Sequence, residues 1–145
     1  MDLEIANNGP ISLDQVRKFE DALRTLPQIE LPTHSLIHGS MYARTIFIPA
    51  GTALTGVLTN LDNICIVNGD ISVTTDDEVV RFTGYHVIPA SKNRKRIGMA
   101  HADTYWTTII HTLNQTVEAA EDEMSNESHL LLSRQNQITK VETES

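Results

Sequence analysis

The sequence is short of several things that would narrow its function. It holds one cysteine in 145 residues, so no disulfide forms within the chain. Cys65 stands inside the apolar run Ile64-Cys-Ile-Val67 and reads as a small buried hydrophobe rather than a nucleophile. No apolar run is long enough to cross a bilayer, and the opening Met-Asp-Leu-Glu lacks the basic segment of a secretory signal. These absences predict a cytoplasmic protein without a membrane partner. Cations are scarce as well: 11 Lys and Arg against 19 Asp and Glu leave a formal charge of −8, which argues against general nucleic-acid binding. There is no Gly-x-Ser-x-Gly, phosphate loop, Cys-x-x-Cys or His-Glu-x-x-His, so no familiar signature assigns a reaction.

What is present is mostly short strands. The length suits one domain with a modest core. Ser12-Leu-Asp-Gln15 has capping-box form, and Leu13, Val16, Phe19, Leu23 and Leu26 then recur every three to four residues until Pro27. This predicts one amphipathic helix, packed on the core or on a neighbouring subunit. Residues 27–43 read as an extended lead-in carrying His34, His38 and Tyr42. Strands are predicted near 43–48, 54–58, 63–68, 70–75, 79–83, 85–89, 96–101 and 104–111. Asn68-Gly69 is the strongest hairpin signal, with further turn cues at Pro49-Ala-Gly51, Asp76-Asp-Glu78, Gly84 and Ser91-Lys-Asn93. Asn114 to Met124 is a further candidate helix. The polar stretch beyond it, broken by Leu130-Leu-Leu132, reads either as a partner-binding helix over 129–141 or as a tail. The expected divisions are 1–43 for arm, helix and lead-in, 44–112 for a β-barrel, and 113–145 for an acidic helical or flexible extension.

The runs Ile48-Pro-Ala-Gly-Thr-Ala-Leu-Thr-Gly56 and Ile66-Val-Asn-Gly-Asp-Ile-Ser-Val73 resemble the cupin superfamily, most of all its small single-domain members from bacteriophages and bacteria. The likeness continues through Arg81-Phe-Thr-Gly84, Lys95-Arg96 and Asp103-Thr-Tyr-Trp106, over about residues 34–112. It implies an all-β core: a cupin-like jelly-roll barrel with an N-terminal amphipathic helix and a C-terminal helical or flexible tail. Cupins usually place two His and a Glu after the first motif's glycine. The matching positions here hold Val57, Thr59 and Asn63, and the second motif's His falls where Arg94, Lys95 and Arg96 stand. None of these is a good divalent-metal ligand, so no metal and no other cofactor is expected.

Cations where metal ligands are expected point to an anion instead. Ser91-Lys-Asn-Arg-Lys-Arg96 enters a strand near the mouth where cupins bind ligands. The bland alternative is a solvated basic loop, or one paired with the acidic C-terminal region of a neighbour. His101, Tyr105 and His111 share one parity along the last strands, while Trp106 points the other way, into the core. Arg44 and His86 reach either pocket or surface, depending on register. The expected ligand-binding set is therefore Arg44, His86, Arg94, Lys95, Arg96, His101, Tyr105 and His111, with no catalytic residue assigned.

Three functions compete. The favoured one is a non-enzymatic, homo-oligomeric binder of a small anionic ligand such as a nucleotide or sugar phosphate, in a sequestering or phage host-modulating role. The second is a metal-dependent or metal-free enzyme working through His86, His101 or His111. The third is a structural or assembly module with a vestigial pocket. A dimer is the default oligomer.

Overall fold

In the computed structural model, the structure describes residues 12–56, 58–74 and 78–131. The capping box forms as predicted: Ser12 accepts from the Gln15 N–H at 3.2 Å, and Gln15 accepts from the Ser12 N–H at 2.8 Å. Helix α1 spans Leu13–Arg24 and buries only Val16 completely. It lies against β3 (Ala53–Thr55).

Seven strands form one curled antiparallel sheet. The others are β1 (Thr33–His38), β2 (Met41–Ile48), β4 (Asn63–Thr74), β5 (Val79–Ala90), β6 (Ile97–Ala100) and β7 (Thr104–His111). The order is β1-β2-β7-β4-β6-β3, with β5 on the other edge of β4. The sheet curls because β4 serves two neighbours in turn. Its first half, Ile64–Asn68, pairs with β7, and Ile71–Val73 pairs with β6.

The bend between those halves falls at Asn68-Gly69, which corrects the predicted hairpin. Both residues sit within β4, opposite Tyr85 and Gly84 of β5. The same two short runs on each side of Gly69 and of Gly84 are therefore single long strands. The glycine serves close approach rather than chain reversal. A Cβ at Gly69 would stand 2.6 Å from Thr104 Cα and 2.7 Å from Asp103 O, and would also strike Thr104 Oγ1. Thr104, fully buried, stitches this corner: its hydroxyl accepts from the Asp70 N–H at 3.1 Å and donates to Ala102 O at 2.9 Å. The actual reversal lies between Thr74 and Val79, where residues 75–77 fall outside the described part. The lead-in was also under-read: β1 pairs along β2 from Thr33 opposite Ile46 to His38 opposite Met41.

Two apolar clusters fill the interior. One holds Ile46, Ile48, Val67, Ile71, Val73 and Ala100, with Leu54, Phe82, Ile88 and Trp106 packed on it. The other holds Tyr42, Ile110, Ala120, Met124 and Leu131. The second exists because α2 (Val117–Met124) and a 3-10 turn (Ser128–Leu130) fold back over one end of the sheet. Thr116 caps α2 by accepting from the Ala119 N–H at 3.2 Å. The rest of the 129–141 run lies outside the described residues.

Candidate ligand cavity

Between the two clusters lies a cavity of about 120 Å³. Strand alternation decides what faces it. On β2 the inward residues are Tyr42, Arg44, Ile46 and Ile48; on β7 they are Thr104, Trp106, Thr108 and Ile110. Arg44 lies opposite Thr108, and Thr108 lies opposite Cys65 of β4. Arg44, Thr108 and Cys65 therefore form a polar belt across the sheet, with apolar rows on both sides. Arg94 and Arg96 reach the cavity from the segment before β6, beside Thr59, Asn63 and Ser91.

Arg44 is the unusual group. Its Nε is sealed from solvent and has no hydrogen-bond partner among the described residues. Burial pulls the guanidinium below its ordinary pKa, and the fields of Tyr42 and the Glu121 carboxylate only partly oppose that. Arginine nevertheless stays protonated at neutral pH. Among the described residues, no Asp or Glu lines the cavity. Arg96 is held in place by donating from Nη1 to Thr74 O at 2.7 Å. Cys65 is buried, donates to Asn63 Oδ1 at 3.3 Å, and has its thiol pKa pushed up by burial, which leaves it a poor nucleophile.

Three of the eight sequence-predicted site residues meet here: Arg44, Arg94 and Arg96. The other five lie elsewhere. Lys95 points away from the cavity because it alternates with Arg94 and Arg96. Its side chain is fully buried between Glu20 at 3.0 Å and Glu127 at 2.9 Å. It fastens α1 to the C-terminal cap. His86 is exposed on β5, with Nε2 2.9 Å from Thr83 O and its ring against Phe82. His101 is exposed in the turn before β7, 2.8 Å from Ser72 Oγ. Tyr105 and His111 share one face of β7, as their parity requires, but it is the outer face; the Tyr105 ring packs on Phe47. The sequence reading missed Thr108, Asn63 and Trp106 as lining residues. Counting by twos from Arg44 and across the strand pairing finds them, but the pairing itself is not written in the sequence.

A cap closes one end. Met124 and Leu131 line the cavity, and the chain between them is tied to the loop after β3. Ser125 Oγ donates to Leu58 O, Glu127 accepts from the Leu58 N–H at 3.1 Å, and Met124 O accepts from the Asn60 N–H at 2.6 Å. Glu127 also pairs with Arg17 at 2.8 Å. Partial burial pushes its carboxyl up, but the hydrogen bonds from Lys95, Leu58 and Arg17 outweigh this and hold the pKa at about 2.

Comparison with known proteins finds no matching family model and no matching curated protein. Among solved structures, the chain is similar to a cupin superfamily protein from Desulfitobacterium hafniense (12% identity, 61% of this chain and 85% of that one, TM-score 0.48). It is also similar to a cupin_2 domain of a transcriptional regulator from Enterobacter cloacae (9% identity, 59% and 100%, TM-score 0.49). A third is the Schizosaccharomyces pombe Cnp3 cupin domain (18% identity, 61% and 71%, TM-score 0.47). Each of these three is described as a cupin.

A divalent metal, which the resemblance of the sequence motifs implies, does not fit this cavity. Of the lining residues at the motif positions, Thr59 and Asn63 are weak ligands, and Arg44, Arg94 and Arg96 repel a cation. Among the described residues, no group of three or more His, Cys, Asp or Glu side chains converges anywhere.

Proposed function

We propose that the protein binds a small anionic ligand in this cavity and holds it without turning it over. The observation that carries the reading is Arg44: a cation whose Nε is buried and unpartnered, in a cavity that no carboxylate lines among the described residues. Leaving such a group unpaired is costly, and an anion that accepts from its fork offsets the cost. Arg96 and Arg94 add charge of the same sign from the neighbouring wall. The nucleotide or sugar phosphate expected from the basic run becomes a restricted case: about 120 Å³ is far less than a nucleotide fills, so the rest of it would project from the mouth. The test is native mass spectrometry of the protein purified without added ligand, beside Arg44→Met. A co-purified mass lost in the variant supports the reading; the same mass in both would sink it.

The reading takes a homodimer as the working unit. The outer face of β1, β2, β7, β4 and β5 carries no Asp, Glu, Lys or Arg between residues 34 and 47, 64 and 68, 85 and 89, or 105 and 111 at its outward positions. Leu36, Met41, Ile64, Tyr85, Val87 and Tyr105 are all large and exposed there. Two molecules of charge −8 repel unless they meet through a surface that leaves the acids outside, and this face does so. Five strands spaced about 4.8 Å apart and seven residues long cover roughly 500 Å² in projection. Side-chain relief brings the accessible area towards the ~800 Å² per partner of an ordinary dimer.

A further inference from the structure

We infer that the anion is a small apolar carboxylate, its acid group on the Arg44 fork and its body against an apolar wall. The inference rests on the anion-binding reading above and narrows it to a ligand class. The belt of Arg44, Thr108 and Cys65 is only one row deep. On one side, two residues along β2 and β7, stand Ile46 and Trp106; on the other stand Tyr42 and Ile110. A ligand whose acid group sits in the belt must therefore place its remainder on an apolar wall or send it out past Thr59, Ser91 and Arg94.

Three features favour the apolar wall. The wall is large, with Leu54, Ile71 and Val73 beside Ile46 and Trp106 all lining the cavity. Sugar hydroxyls against it would lose their water partners and find none, whereas a hydrocarbon body buries well there. The space is of a similar order and is open at one side: a dry apolar cavity of about 150 Å³ holds benzene, and this one measures about 120 Å³ and reaches the exposed Ser91 and Arg94. Finally, the Nε and Nη of one guanidinium form a planar fork that matches the two oxygens of a carboxylate. A phosphate dianion on the same fork would turn a further charged oxygen towards the apolar rows.

Isothermal titration of the full chain with benzoate, acetate, inorganic phosphate and adenosine 5′-monophosphate tests this. Benzoate is expected to bind at least tenfold more tightly than acetate or phosphate. Arg44→Met should remove binding of all four. Val73→Phe fills the wall and should erase the tenfold preference while acetate still binds; Leu54→Asn, which makes the same wall polar, serves if the first variant does not fold. Phosphate or the nucleotide binding as tightly as benzoate would overturn the apolar-body inference and leave the anion site standing. Binding of none of the four would overturn both.

Discussion

At the residue scale, Arg44 sets function against stability. A buried Nε without a partner costs free energy in the empty protein, and leucine removes it. Arg44→Leu is therefore expected to stabilise the ligand-free fold by about 1–3 kcal/mol while abolishing anion binding. Urea melts and a titration on the same variant measure both effects. A destabilised Arg44→Leu protein would mean that the side chain has a structural partner, and the site would have to be reconsidered. Arg44→Lys keeps the charge but loses the planar fork, so carboxylate binding should weaken without disappearing. The sequence offered Arg44 as one of eight site residues. Alternation from Ile46 and Ile48 is enough to turn it inward; that its Nε goes unpartnered depends on what β7 and β4 bring alongside, namely Thr108 and Cys65.

At the element scale, two contacts decide how the pieces meet. The first is the corner of β4. Gly69→Ala drives a methyl group into the backbone of Thr104, which cannot retreat because its hydroxyl is held by Asp70 and Ala102. A loss of about 3 kcal/mol is expected, read by thermal melting. The Asn-Gly pair looked like a hairpin because both residues suit a tight turn. It was placed in mid-strand because Gly69 alone lets Thr104 close the bend.

The second contact is the clamp of Lys95, Glu20, Glu127 and Arg17, which joins α1 to the cap over the cavity. Lys95→Met leaves two carboxylates facing each other and should cost about 3 kcal/mol. Glu127 makes the clamp sensitive to acid. Its pKa is held at about 2 against an ordinary 4.5, so the stabilisation is complete above pH 4.5 and is lost as pH falls towards 2. With solvent screening, the size is on the order of 1–2 kcal/mol. Glu127→Gln should flatten that limb of a stability–pH curve; an unchanged limb would show that other carboxylates control acid unfolding.

At the scale of the whole molecule, the charge is distributed by face. The acids and bases gather on α1, the cap, the segment before β6 and the far end of β4 and β5, where Asp70 pairs with Arg81 at 2.7 Å; the rest of the outer sheet carries no Asp, Glu, Lys or Arg. Val87→Lys together with Ile64→Lys places charge on that neutral face at two exposed positions, so folding should be unaffected. Light scattering after gel filtration should then report a monomer, where the unaltered chain is expected to be a dimer. If both chains have the same mass in solution, this face is not the contact. Among the described residues no helix is long and apolar enough to cross a membrane.

The sequence by itself determined the elements whose signals are local. The capping box of α1, the stop at Pro27, the second helix ending at Met124 and most strand segments follow from neighbours a few residues apart in the chain. It also offered Arg94, Lys95 and Arg96 together as cations near the mouth, without separating Lys95 from the other two. Only the tertiary structure decided which way each one faces. Lys95 is buried because Glu20 and Glu127 arrive from opposite ends of the chain, and Tyr105 is exposed because its strand pairs with β2 and β4 in a register that turns Trp106 inward. Register and long-range charge pairing depend on segments tens of residues apart, and no local pattern encodes them.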